Sequence, residues 1–222
     1  NGGELFALDT TTGGVNWSIS LGASLSAPLI WNAGWLIVSL DTQTLLALRA
    51  ETGETVWRRK MGDNIHAAPS FAAERMFVPL VGGAVVVLSL LDGEAVWERP
   101  LEGTPSQILP LDDVFVGATD NYFYRLSAVD GSIKWRWRTG GDVVGLAAVD
   151  EERVYFTSLD NMLWALNRTS GVQQWRQPLA ARPNSGPSSI GDLLVLGGVG
   201  ENLHFFHPVT GDSYGQIPES SE

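Results

Sequence analysis

Ala7-Leu8-Asp9-Thr10-Thr11-Thr12-Gly13-Gly14-Val15-Asn16-Trp17 carries the pattern on which this chain is built. An apolar run with a small residue meets a polar turn closed by glycine, and tryptophan follows four residues later. After Gly13 the glycine returns as Gly53, Gly93, Gly131, Gly171 and Gly211, at successive spacings of 40, 40, 38, 40 and 40 residues. The tryptophan returns as Trp57, Trp97, Trp135 and Trp175; only the sixth copy departs, with Gly215 in that slot. Thr12, Thr52, Asp92, Asp130, Ser170 and Thr210 stand before the glycines, all short residues that favour turns. A period near 40 residues held over six copies marks a stack of supersecondary units.

Each unit reads as strands. Eight residues before the glycine stand Leu5, Leu45, Val85, Phe123, Leu163 and Leu203, and five before it stand Leu8, Leu48, Leu88, Leu126, Leu166 and Phe206. The two slots differ by an odd number, so in a strand they point to opposite faces, and both are apolar. A strand apolar on both faces is buried on both. A second strand such as Thr55–Arg59 follows the turn, and a pair such as Ala27–Trp31 and Trp35–Leu40 precedes it. The sum is four short strands per repeat, the meander of a propeller blade. Helical repeats would need apolar spacings of three and four, which are absent. A WD-type blade would place Asp straight after the tryptophan, where this chain has Ser18, Arg58, Glu98, Arg136 and Arg176. Placed just after the turn, the indole can wedge between neighbouring blades and give its N–H to their backbone. Ala7, Ala47 and Ala165, six before the glycine, leave room for it, whereas Val87, Arg125 and Phe205 break that rule.

The 222 residues include 14 Lys and Arg against 25 Asp and Glu, a net charge of −11, and no cysteine. Disulfides, thiolate metal sites and a cysteine nucleophile are thereby excluded. The acidic balance argues against nucleic acid as a partner, since phosphate binding needs a basic footprint. No apolar run is long enough to span a bilayer as a helix, and no leader-like segment opens the chain.

The motif Ala7-x-Asp9-x-x-Thr12-Gly13-x-x-x-Trp17, repeated along the chain, resembles the tryptophan-docking repeat of quinoprotein-like (PQQ-repeat) β-propellers, and in particular their non-catalytic BamB-like branch. The expected fold is all-β, a single propeller over 1–222 of four-stranded antiparallel blades. The repeat divides it into a half blade at 1–22 and blades at 23–62, 63–102, 103–140, 141–180 and 181–222. Asn1-Gly2-Gly3 opens at the turn before a buried strand, so two strands of the first blade are missing from the count. The resemblance implies eight blades in a parent ring; the alternatives are a smaller ring or a first blade completed by a second chain. It also implies, for the catalytic members, a bound quinone, an acidic calcium site, a catalytic Asp and often a vicinal Cys pair. This chain has no cysteines and no Asp-x-Asn-x-Asp-Gly calcium loop, and the expectation is no enzyme activity, no cofactor and no metal. The resemblance implies a protein-binding scaffold in the periplasm or at the outer membrane, its partners components of envelope assembly. The alternatives are a ligand-sensing domain of a larger receptor or kinase and a degenerate or truncated quinone-dependent dehydrogenase.

Departures from the repeat supply the remaining candidates. Trp35 stands in a slot matched to Arg75, Asp113, Arg153 and Asp192, so it is expected on the surface as a partner contact. Its alternative role is to cover Trp31. Trp137 stands where other blades have Ile19, Arg59, Arg99 and Gln177, as a contact or as cover for an outer strand. Arg49 and Arg125 lie inside apolar strands, where a paired structural role is expected, and Arg58-Arg59-Lys60 reads as a solvated face. His204 and His207, three apart on a strand, point to opposite sides and cannot chelate one ion; His204 is expected to pack, and His66 lies in a loop.

Overall fold

The computed structural model describes residues 3–218, which contain strands and turns and no helix. Asn1 and Gly2 of the expected opening turn lie outside the described residues. Two compact units, Asn1–Glu98 and Arg99–Glu222, divide the chain. The first unit opens with a two-stranded sheet, β1 (Glu4–Leu8) and β2 (Val15–Ser20). A four-stranded sheet follows, made of β3 (Ile30–Asn32), β4 (Trp35–Leu40), β5 (Thr44–Arg49) and β6 (Thr55–Lys60). The next sheet has β7 (Ser70–Ala72), β8 (Arg75–Pro79), β9 (Ala84–Ser89) and β10 (Ala95–Pro100), whose last residues enter the second unit.

Three more four-stranded sheets complete the second unit. They are β11 (Pro105–Pro110), β12 (Asp113–Ala118), β13 (Tyr122–Ser127) and β14 (Ile133–Arg138); β15 (Val143–Val149), β16 (Arg153–Ser158), β17 (Met162–Asn167) and β18 (Gln173–Pro178); and β19 (Ser188–Ile190), β20 (Leu193–Val199), β21 (Asn202–Phe206) and β22 (Ser213–Pro218). Every sheet keeps its strands in chain order, so each is an antiparallel meander, the blade of a β-propeller.

The third strand of a blade carries the core. Leu45 to Leu48 of β5, Val85 to Leu88 of β9 and Leu163 to Leu166 of β17 are buried without a break, as expected of a strand covered on both faces. In β6, Trp57 is the buried residue among exposed neighbours. Ile37, Ala47 and Trp57 on one face of their blade meet Met76, Val78, Val86 and Leu88 of the next. On the opposite face Leu36, Val38, Leu46 and Leu48 pack with Leu5 and Ile19 of the two-stranded sheet.

A bulge recurs where the indole leaves the sheet. Ala47 pairs with Trp57 but the next residue, Leu48, pairs with Thr55, so Val56 is left unpaired. The same slip occurs at Ala7/Leu8, Arg125/Leu126, Ala165/Leu166 and Phe205/Phe206. A bulge bends its strand and re-aims a side chain, and here it turns the tryptophan out toward the neighbouring blade.

Candidate functional site

Four indoles sit in matching sockets on the following blade. Trp17 Nε1 donates to Ala50 O at 3.0 Å, Trp57 Nε1 to Leu90 O at 2.8 Å, Trp135 Nε1 to Arg168 O at 3.3 Å and Trp175 Nε1 to Pro208 O at 2.8 Å. In each case the acceptor lies 33 residues downstream, three residues before the next turn glycine. The ring lies on that glycine: a Cβ at Gly53, Gly93, Gly171 or Gly211 would fall 2.6–2.8 Å from indole carbons. Those glycines also hold φ of +72° to +77°, which disfavours any other residue. Trp97 is buried and meets Phe77 edge-on at 6.2 Å, and Gly131 has the same left-handed φ of +68°.

The turns are capped by one recurring side chain. Asp9 Oδ1 accepts from the N–H groups of Thr11 and Thr12, and Asn167 Oδ1 from those of Thr169 and Ser170. His207 Nδ1 does the same for Val209 and Thr210, which explains a histidine in that slot. Backbone hydrogen bonds from Thr12, with its hydroxyl, hold the Asp9 carboxyl below the ordinary range. The N–H and hydroxyl of Ser132 hold Asp130 down to about 2. His204 Nε2 lies 3.0 Å from Val199 O and its ring stacks near Phe206. Partial desolvation pulls His66 below its ordinary value.

The basic run departs from the expected solvated face at one residue. Arg58 is exposed, but Arg59 Nη1 donates to Gly93 O of the next blade at 2.7 Å. Arg99 Nε makes the matching bond to Gly131 O at 2.6 Å, so an arginine two residues after the tryptophan adds a second clamp.

Trp35 is a correction. The expected surface ring is 7% exposed and belongs to the core shared with Ile37, Met76 and Val78. The Arg49 guanidinium lies 4.4 Å over its ring, so the arginine is the outer layer. Charge in the matching slots does not mean exposure, because Asp113 and Arg153 are themselves covered. Asp113 is 4% exposed and accepts from Arg125 Nε at 2.7 Å and Lys134 Nζ at 2.6 Å. Burial pushes its carboxyl up, but the bonds and charges of Lys134 and Arg125 outweigh that and hold it below the ordinary value. Arg153 pairs with Asp150 and Glu152. Strand register also puts Leu193, not Asp192, in the fifth copy of the slot, because Leu194 pairs with Phe206 as Leu36 pairs with Leu48.

Trp137 is half-buried against Trp164, ring centroids 5.9 Å apart, and its indole N–H is buried without a partner. Arg125 is structural as expected, tying Asp113 to Thr169 O of the next blade at 2.6 Å. Tyr124 and Tyr155, raised well above their ordinary values by burial and then by Asp120 and Asp150, give their hydroxyls to those carboxylates at 2.6 and 2.5 Å.

Among the described aromatics Trp31 is exposed, at 68%, as are Phe6 and Tyr214, and Leu25 and Leu29 are also exposed. In the sequence Trp31 stands out only as the residue that Trp35 would cover. The available signal was the half blade itself: two strands cannot cover the face of a four-stranded neighbour.

Among the described residues no three His, Asp or Glu side chains converge on a common point. The repeat tryptophans Trp17, Trp57, Trp135 and Trp175 already lie on glycines of the next blade. Among the described residues no helix is long and apolar enough to cross a membrane.

Sheets of this topology joined by indole-on-glycine sockets define a tryptophan-docked β-propeller repeat protein. The family profile described as "Outer membrane protein assembly factor BamB" matches residues 1–111 and 102–221, and the chain belongs to that family. It is 28% identical over 103 residues to the outer membrane protein assembly factor BamB of Legionella pneumophila (strain Paris), covering 46% of this chain and 26% of that protein. To the protein of that name from Yersinia pestis it is 28% identical over 90 residues, covering 38% and 23%. The matched stretches thus span about a quarter of these relatives. The crystal structure of BamB from Moraxella catarrhalis superposes with a TM-score of 0.81 at 18% identity, over 93% of this chain and 68% of that one. Quinohemoprotein alcohol dehydrogenase from Comamonas testosteroni gives 0.77 at 13%, over 98% and 57%. Both structural likenesses are of fold.

Proposed function

We propose that this chain is a non-catalytic protein-binding scaffold of the bacterial cell envelope, working from the periplasm or the outer-membrane surface in the assembly of outer-membrane proteins. The observation that carries the reading is the match to the BamB family over both halves of the chain. The named relatives, outer membrane protein assembly factors, support it. So does the way polar side chains are used. Asp113, Asp150, Tyr124, Tyr155 and His207, the kinds of group that do acid–base work, are all committed to ion pairs, turns or interblade bonds. A frame fixed in this way presents its loops and strand edges with little ordering cost on binding.

The test is complementation. The full chain, exported to the periplasm of cells lacking their own BamB-family protein, restores outer-membrane protein levels and crosslinks to assembly components. Folded periplasmic chain that does neither refutes the assembly role. Quinone-dependent substrate oxidation by purified chain given pyrroloquinoline quinone and calcium refutes the non-catalytic reading.

A further inference from the structure

The fourth strands of the full blades are charged unlike the rest of the chain. Of the 14 Lys and Arg, three lie on β6, one on β10, three on β14 and one on β18, against a single acid, Glu98, out of 25 Asp and Glu. Half of these cations are committed to the fold. Arg59 and Arg99 donate to Gly93 O and Gly131 O, Lys60 donates to Thr42 O, and Lys134 lies 2.6 Å from Asp113. Arg136 and Arg138 of β14 are exposed and, among the described residues, form no ion pair.

β14 holds this pair in a set position. Its side chains alternate, with Lys134, Arg136 and Arg138 exposed on one face and Trp135 and Trp137 half-buried on the other. Arg136 stands opposite Tyr124, and Arg138 opposite Tyr122, in β13. The Arg136 guanidinium lies 4.5 Å from the centre of the Tyr122 ring. Asp120 ties down that stretch of β13, accepting from the Tyr122 N–H at 3.0 Å and the Tyr124 hydroxyl at 2.6 Å. A guanidinium stacked on a ring keeps its planar fork free for a carboxylate and loses less side-chain freedom when it binds one. Alternate side chains of a strand are about 7 Å apart, so carboxylates at alternate positions of an opposing strand match Arg136 and Arg138. The other fourth strands lack the set. β18 has Arg176 between Gln174 and Pro178 on that face, β10 has Glu98 there, and on β6 Arg58 stands opposite Leu46 with Lys60 already bonded. β14 pairs with β13 alone, so among the described residues its outer edge carries no strand. Charge on such an edge repels an edge of like charge and favours one of opposite charge.

We propose that β14 docks an extended acidic segment of a partner polypeptide, added along its outer edge, with carboxylates at alternate positions meeting Arg136 and Arg138. The unpaired backbone of β14 selects a polypeptide over an anionic lipid surface, which offers no strand to pair with. The net charge of −11 opposes such a partner at long range. At physiological salt, however, exposed charges more than about 8 Å apart are largely screened while contact pairs persist. The proposal stands apart from the assembly role, which survives if this edge binds nothing.

The probe is a short peptide of alternating Glu and Thr, titrated into the full chain at physiological salt and followed by calorimetry and NMR, with a Gln–Thr peptide as control. The Glu peptide binds, shifts the indole N–H signal of Trp137 (assigned with Trp137→Phe) and slows amide exchange along β14; the Gln peptide binds severalfold more weakly. Arg136→Gln with Arg138→Gln weakens binding about fivefold to tenfold, while Arg58→Gln with Lys60→Gln on β6 changes it less than about twofold. Failure of the Glu peptide to bind, equal affinity for both peptides, or equal loss from the two double variants overturns the proposal. So does binding to phosphatidylglycerol vesicles that needs Arg136 and Arg138 while the peptide is ignored, because the edge is then a lipid contact. Sedimentation showing a dimer that Arg136→Gln with Arg138→Gln dissolves also overturns it, since a second copy then occupies β14.

Discussion

Gly93→Ala and Gly13→Ala together separate indole docking from backbone strain. Gly93 and Gly13 hold nearly the same left-handed backbone, φ +72° and +70°, so alanine meets the same local penalty at both, about 1–2 kcal/mol. Only Gly93 carries a ring: its Cβ would lie 2.8 Å from Cδ2 and Cε3 of Trp57, while nothing lies within 4 Å of a Cβ at Gly13. To make room, Trp57 must retreat from a buried site and loosen its 2.8 Å bond to Leu90 O. The bond is worth about 1 kcal/mol net. Complete loss of the indole, as in Trp57→Ala, costs about 3–5 kcal/mol. Gly93→Ala should therefore cost about 2 kcal/mol more than Gly13→Ala, between that bond alone and the whole ring. At about 2–4 °C per kcal/mol for a chain of this size, calorimetry should separate the two melting temperatures by roughly 4–8 °C. In a Trp57→Ala background Gly93→Ala should fall to the backbone penalty alone, a coupling of about 2 kcal/mol. Equal losses at the two glycines, or strict additivity with Trp57→Ala, would show that the ring does not set the requirement for glycine.

Trp35→Ala should lower stability by about 3 kcal/mol, as for a buried aromatic; an unchanged denaturation midpoint would return Trp35 to the surface. Asp113→Asn should cost about 3 kcal/mol by leaving Arg125 without its buried counter-charge. Because the folded carboxyl is held below its unfolded value, the Asp113 contribution is present above about pH 4 and disappears as pH falls through the folded value. Acid titration of melting temperature should accordingly show a shallower loss in Asp113→Asn than in the parent. His207→Ala should cost about 1 kcal/mol by orphaning two backbone N–H groups, and His207→Asn should restore most of it, since Asn167 makes the same cap. Equal losses from both substitutions would contradict the capping role.

The repeat was legible because two independent constraints fall on one short motif. The turn needs a left-handed residue and the next indole needs a surface without a Cβ, so glycine is required twice over at Gly53 and Gly93. Alanine opposite the tryptophan was legible for a similar reason of space. The bulge that aims the indole was not, since skipping Val56 leaves no mark in composition. Trp35 misled because charge in the matching slots was equated with exposure. Asp113 and Arg153 are charged and covered, each neutralised by partners that the alignment of repeats does not reveal. Arg59 misled in the opposite sense: a basic run on an outer strand looks solvated, but its side chain is long enough to reach Gly93 O of the next blade.

The same economy explains why fold is easier to read here than function. Docking uses up the conspicuous residues, as the four indole bonds to neighbouring backbone show. Gly13 has the socket conformation and no ring upon it, with Phe6 and Leu8 exposed where their counterparts Leu46 and Leu48 are buried. The sixth blade shows the complementary departure. Gly215 replaces the tryptophan at φ +124°, a backbone that L residues rarely adopt, and Phe205 stands opposite it where Ala47 and Ala165 stand opposite Trp57 and Trp175. Bulk has moved from the fourth strand to the third, and β22 is exposed along its length, with Tyr214 and Ile217 outward. An indole is therefore not what that outer strand presents. The sixth copy thus keeps the left-handed glycine and the bulge of the motif while giving up its indole.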